Sequence, residues 1–192
     1  MRLIKGWGSN YHLTDISEVV LYRRKMEQGK FYFVKDEFYD RFKDCGLLEN
    51  KEMINGKEHN RPCCYLFKFL QSDTDIYWMI PISSKVAKYK SQYQRSMNKY
   101  GMCDNISFGY ILGDECAFLP QNLFPITENY INNIYIDKNT NLPITINADL
   151  MAELNKKARK KIRYNQQGKI FGMSNIIKIY DELKNDLIKD TN

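Results

Sequence analysis

The chain has 192 residues, 43% hydrophobic and 14% aromatic, enough apolar content for one domain with a packed core and too much for a disordered chain. Its net charge of +6 favours an anionic partner, with nucleic acid ahead of a membrane surface. No apolar run approaches the ~18 residues of a membrane span, the opening Met1-Arg2-Leu3-Ile4-Lys5 has no continuous hydrophobic segment and is not expected to be a secretory leader, and five cysteines at irregular spacing with only two histidines argue against a structural zinc site.

Residues 9–29 carry a loose helical pattern (Leu13, Ile16, Val19, Val20) that stops at Gly29. Residues 30–35 read as a strand, and 36–48 as a short helix in which Phe38, Phe42 and Leu47 recur near helical spacing before Gly46 ends it. The polar stretch 49–60, with Asn55-Gly56, reads as a surface loop. Strands at 62–70 and 76–82 form a hairpin joined through Asp73-Thr74-Asp75, with Cys63 and Cys64 on opposite faces as reduced buried thiols. That state suits a cytoplasmic protein.

Residues 86–101 are basic and tyrosine-rich and read as a loop or irregular helix. Strands follow at 106–112 and 116–119 around a Gly113-Asp114-Glu115 turn, then a Pro125-bounded loop, a strand from Ile131 to Ile136, and an extended piece at 144–146. Two helices, 148–164 and 174–189, close the chain and are joined around Gly168 and Gly172. Leu150, Leu154, Ala158 and Ile162 make one apolar stripe, and Ile176, Ile179, Leu183 and Leu187 another. The predicted fold class is α+β: a small, mostly antiparallel barrel with helices packed on its outside. It forms a single domain over 1–192, with 1–29 as an N-terminal extension.

The chemistry concentrates at one end of the central hairpin. Arg61 opens its first strand, and Ser83-Ser84-Lys85 closes the second. A guanidinium, two hydroxyls and an ammonium meeting at one edge make a phosphate site, because arginine forks two N–H bonds to phosphate oxygens and the others add donors. His59 precedes Arg61 by two and faces the same side, where it can serve as acid or base near neutral pH.

From Ile76 to Cys103 there is no acidic residue, while Lys85, Lys88, Lys90, Arg95 and Lys99 alternate with Tyr77, Trp78, Tyr89, Tyr93 and Tyr100. Cations for phosphates and rings for unpaired bases form the pattern of a single-stranded nucleic-acid binder. The first closing helix carries Lys156, Lys157, Arg159, Lys160, Lys161 and Arg163, a second phosphate-tracking surface.

Such a site can cut RNA without a metal by using the RNA's own 2′-hydroxyl against the adjacent phosphorus, provided the protein moves two protons and stabilises the extra negative charge. No cofactor and no metal are expected.

The order Arg61-Pro62, strand, turn, strand, Pro81-Ile82-Ser83-Ser84-Lys85 resembles the MazF-like RNases. More closely, with the basic helix and the second helix that follow, it resembles the RNase toxins of type III toxin–antitoxin systems, the ToxN/AbiQ/CptN/TenpN group. The likeness runs over roughly residues 30–180. In that group a residue usually separates the hydroxyl pair from the lysine; here Lys85 follows directly and Lys88 comes three later, so either can enter the site.

The resemblance implies a metal-independent endoribonuclease on an SH3-like barrel. It implies catalytic roles for Arg61, Ser83, Ser84 and Lys85 and a 2′,3′-cyclic phosphate product from cellular or phage RNA. It also implies inhibition by a repetitive antitoxin RNA whose pseudoknot repeats join the toxin in a closed assembly, with growth arrest or aborted phage infection as the outcome. Two alternatives stand beside it: a MazF-type RNase held by a protein antitoxin, and a non-catalytic single-stranded RNA-binding module. A membrane-surface role fits worst, because the basic helix has no Trp or Phe on its apolar face.

Overall fold

The computed structural model describes residues 26–54, 56–69, 75–169 and 174–189. The helix expected over 9–29 lies almost wholly outside them, as do Asp73, Thr74 and Gly172.

The chain order is β1 (Phe31–Val34), α1 (Asp36–Arg41), β2 (Lys51–Ile54), β3 (Lys57–Asn60), β4 (Pro62–Lys68), β5 (Tyr77–Ser83), α2 (Val86–Tyr100), β6 (Ser107–Ile111), β7 (Asp114–Phe118), β8 (Phe124–Ile126), β9 (Ile131–Ile134), α3 (Ala148–Gln166) and α4 (Ile176–Lys189). Seven strands form one antiparallel sheet in the order β6-β7-β5-β4-β1-β9, with β8 also on β5; β2 and β3 form a separate hairpin. Among the described residues no ladder joins the edges β6 and β9. The expected closed barrel is therefore an open, branched sheet within the predicted α+β class.

The branch falls at Pro81. One side of β5 pairs with β4 from Tyr77 to Pro81. The other side pairs first with β8 (Tyr77↔Ile126, Met79↔Phe124) and then with β7 (Ile82↔Phe118, Ser83↔Ala117). The Pro81 carbonyl accepts from Leu119 N–H on that branching side, where its missing N–H also points. A proline is tolerated mid-strand because the ladder changes partner there.

β4 and β5 are buried on both faces, which explains their continuous apolar runs. Cys64, Leu66, Trp78, Ile80 and Ile82 face a core closed by Leu150, Leu154, Ala158 and Ile162 of α3. Cys63, Tyr65, Tyr77 and Met79 face a second core with Phe38, Phe42, Phe124 and, from α4, Ile179 and Leu183. A bulge between Tyr65 and Phe67 breaks the period of two and turns Phe67 to the side of Leu66. Both predicted helical stripes are the buried ones, and Leu187 lies at the edge of the second core. Asn147 caps α3 by accepting from Leu150 N–H at 2.8 Å. Gly109 gives α3 its close approach to β6, since a Cβ there would collide with the Leu150 side chain.

Three local readings change. Residues 51–60 are a β-hairpin turning at Gly56 (φ 75°), not a loop. Residues 86–100 are a regular helix: Tyr89, Tyr93 and Met97, four apart, pack on Cys103, Ile106 and Leu119, and Gly101 stops the helix at φ 69° with its N–H on Met97 O. The β6–β7 turn is Leu112-Gly113, both at positive φ, one step earlier than Gly113-Asp114-Glu115. All five cysteines are free thiols, and four are buried. Among the described residues no helix is long and apolar enough to cross a membrane.

Candidate active site

Antiparallel pairing sets the start of β4 beside the end of β5, with Cys63 opposite Pro81, so Arg61 and the Ser83-Ser84-Lys85 triplet meet as the sequence suggests. At their junction stands a residue that the sequence reading passed over, Glu52 of β2. It is 6% exposed. Its Oε2 accepts from Arg61 Nη1 at 3.1 Å, its Oε1 accepts from Ser83 Oγ at 2.9 Å, and Lys85 Nζ lies 3.6 Å from Oε1.

Arg61 is buried and heavily committed. Its Nε donates to Glu49 O at 3.1 Å, Nη1 also donates to Ile82 O at 2.8 Å, and its backbone N–H donates to Asn50 O at 2.6 Å. The guanidinium thus ties the β2–β3 hairpin to the end of β5. The sequence places Arg61 as a direct two-pronged donor to phosphate; in the structure its Nε and Nη1 are already bonded to Glu49 O, Glu52 and Ile82 O. Ser83 is likewise buried, and its Oγ accepts from Lys85 N–H at 3.2 Å. Ser84 and Lys85 are exposed and present a hydroxyl and an ammonium to solvent.

Glu52 and His59 are register partners in the hairpin, so their side chains share a face. His59 lines a cleft of about 700 Å³ with Glu52, Arg61, Ser83 and Ser84. A neighbouring cleft of about 420 Å³ holds Lys85, Lys88 and Tyr89. Arg61 and Glu52 line both. Burial raises the Tyr89 phenol above its ordinary pKa, opposed by the positive charge of Arg61 and reinforced by Glu52. Both Lys85 and Lys88 enter this second cleft, and only Lys85 pairs with the buried carboxylate. Among the described residues no three His, Cys, Asp or Glu side chains are grouped to hold a metal ion.

The wider basic surface is less open than its sequence suggests. On α2, Lys90 pairs with Glu115 at 2.7 Å, Tyr93 packs edge-on against Phe108, Arg95 Nε donates to Ser91 O, and Lys99 lies over Tyr100. On α3, Lys157 donates to Ile106 O and pairs with Glu153, and Lys160 pairs with Asp104. Lys161 is fully buried and donates to Gln121 O at 2.6 Å, so it presents no charge to a phosphate. The stripe Leu150/Leu154/Ala158/Ile162 is broad enough to draw Lys161 under with it. Lys156, Arg159 and Arg163 remain exposed, Arg159 over the ring of Phe67 at 4.2 Å.

Glu52 was hidden because 49–60 is mostly polar, with Met53 and Ile54 adjacent rather than alternating. The available signal was Asn55-Gly56 between two four-residue runs, Lys51–Ile54 and Lys57–Asn60, a hairpin turn pair.

No protein-family model matches the sequence, and no curated protein matches the chain. Among solved structures the fold is similar to AbiQ, a lactococcal anti-phage endoribonuclease belonging to the type III toxin–antitoxin system. The identity is 12%, over 82% of this chain and 97% of that one, with a TM-score of 0.58. It is also similar to a chain from a bacterial antiviral system regulated by a processed non-coding RNA, at 13% identity over 81% and 98% of the two chains, with a TM-score of 0.55. The likeness is one of fold, and it meets the type III toxin resemblance carried by the sequence motifs.

Proposed function

We propose that the chain is the toxin of a type III toxin–antitoxin system, a metal-independent endoribonuclease restrained by its own antitoxin RNA. The observation that carries this reading is the cluster Glu52–Arg61–Ser83–Lys85, beside His59 and Ser84, at the open end of a fold shared with an endoribonuclease of that class.

The step is a transesterification. The RNA 2′-oxygen bonds to the adjacent phosphorus while the bond from phosphorus to the 5′-oxygen breaks. The 2′-hydroxyl proton leaves to a base, and a proton is delivered to the departing oxygen, leaving a 2′,3′-cyclic phosphate and a 5′-hydroxyl. Ser84 and Lys85 supply exposed donors for the phosphate oxygens. His59, on the face of Glu52, exchanges the protons. Arg61 acts mainly by holding Glu52 and the end of β5 in register, with its positive charge close behind the phosphate. Exposed Lys88, Lys99 and Lys156 extend the contact to RNA, as do Lys90 and Lys160 once released from their partners. The antitoxin repeats, folded as pseudoknots, cover this surface in a closed assembly.

The test is cleavage of a labelled RNA by the purified chain in EDTA. Fragments ending in 2′,3′-cyclic phosphate, and loss of activity when the cognate repeat RNA is added, are expected. Products bearing 5′-phosphates would overturn the mechanism. Intact RNA with tight binding would leave a non-catalytic RNA-binding module.

A further inference from the structure

Away from the candidate active site, the C-terminal turns of α2 and α3 wall a cleft of about 510 Å³. α2 contributes Tyr100, α3 contributes Lys160 and Tyr164, and the adjoining segments add Met102, Asn105 and Lys169. Tyr100 is 64% exposed and Met102 54%, unusual for an aromatic and a thioether side by side at the mouth of a cavity. Both rings are flanked by ammonium groups. Lys99 Nζ lies 5.0 Å from the centre of Tyr100, and Lys160 and Lys169 lie 5.9 and 5.8 Å from Tyr164. The carboxylate of the lining, Asp104, is paired with Lys160.

The volume suits a small planar ligand rather than a folded partner. Lysines at the rim around aromatic rings favour an anionic ligand with a flat apolar body. A nucleotide base between its two phosphates has that form.

We propose that this cleft is a base-binding subsite, in which one unpaired base of a single-stranded RNA stacks on Tyr100 beside Tyr164 while its flanking phosphates meet Lys99, Lys160 and Lys169. The proposal rests on the RNA-directed reading of the preceding subsection and adds a second point of attachment to it. α2 has 15 residues and begins next to Lys85, so at ~1.5 Å per residue the two ends lie about 22 Å apart. An extended strand of about four nucleotides bridges that distance, the lower end of the ~4–16 nucleotides that single-strand-binding folds occupy. One strand can therefore run from the active site along α2 to the cleft.

The experiment uses the whole chain and an eight-nucleotide single-stranded RNA with 2′-O-methyl riboses, which cannot be cut. 2-Aminopurine is placed at each position in turn, and affinity is read by anisotropy. Wild type should quench the probe at one position several nucleotides from the active-site end. Tyr100→Ala should abolish that quenching and weaken binding by about 5- to 100-fold, the usual range for one stacked base. Tyr100→Phe should retain both, because the ring is kept. Tyr164→Ala should weaken binding in the same direction. If wild type binds the oligonucleotide and both alanine variants bind it equally well, the cleft is not a base site, while the RNA reading stands. If wild type does not bind the oligonucleotide at all, both fall together.

Discussion

Glu52 and Arg61 form an ion pair in which each side chain is only 6% exposed, with Nη1 and Oε2 3.1 Å apart. Removing one partner of a buried pair strands the other charge and costs about 3–5 kcal/mol. Arg61→Ala should therefore lose stability by that order as well as cleavage, although in the sequence Arg61 merely opens a strand. Urea unfolding measures the first and single-turnover cleavage the second. Glu52→Ala should be destabilised to a similar degree. A fully stable Arg61→Ala protein would show that the pair contributes little to the fold.

Ser84 and Lys85 are exposed, and neither belongs to a core cluster. Ser84→Ala with Lys85→Ala should leave the unfolding curve near wild type while cleavage falls. Loss of one preorganised donor typically costs ~100- to 1,000-fold in rate. Expression of the double variant should also no longer arrest growth. Undiminished toxicity from a folded double variant would move the chemistry to Lys88 and Tyr89 in the adjoining cleft.

On α3 the salt dependence of RNA binding should respond to Lys156 and Arg163, which are exposed, and not to Lys161, which is buried. Lys156→Glu with Arg163→Glu should reduce the slope of log affinity against log salt by up to ~0.7 for each single-strand phosphate that is no longer neutralised. An unchanged slope would mark the helix as an ordinary solvated face.

The elements legible in the sequence were those whose burial leaves a periodic trace. β4 and β5 announce themselves as unbroken apolar runs, and α3 and α4 as stripes three or four apart. The meeting of Arg61 with Ser83-Ser84-Lys85 follows from the hairpin alone. Glu52 escaped notice because its importance comes from what folds over it, and a buried carboxylate in a polar run carries no local mark. α2 was obscured because Tyr89 and Tyr93 served two readings equally, rings for bases and rings for a core; packing on Ile106 and Leu119 decides for the core. The open sheet was not foreseeable either, since closure depends on whether β6 and β9 meet, and no residue pattern encodes that.

Leu112 sits at φ 52° in the two-residue β6–β7 turn, ahead of Gly113 at φ 88°. A leucine in the left-handed region costs roughly 1–2 kcal/mol, and asparagine is the favoured residue at that place before glycine. Leu112 is 54% exposed, so little packing is lost. Leu112→Asn should raise stability by about 1 kcal/mol, seen as a higher urea midpoint with an unchanged slope.

Lys161 offers the sharpest pH test. It is fully buried, its Nζ donates to Gln121 O and Leu123 O, and burial pulls its pKa down from 10.5 to about 7. Between those values the unfolded chain holds a proton that the folded chain has released, so this group makes stability rise with pH from about 7 to 10.5. At ~1.4 kcal/mol per unit the full effect is on the order of 5 kcal/mol. The buried thiols of Cys63 and Cys64 act in the opposite sense. Burial raises both, so their contribution is present below the unfolded thiol pKa and is lost at higher pH. The difference between wild type and Lys161→Met removes that common background. The variant should lack the alkaline rise while losing about 1–3 kcal/mol for each carbonyl left without a donor. Urea unfolding at several pH values from 7 to 10.5 measures both effects. If the two proteins respond to pH in parallel, Lys161 remains charged within the fold, and its hydrogen bonds to the Gln121 and Leu123 carbonyls compensate for its burial.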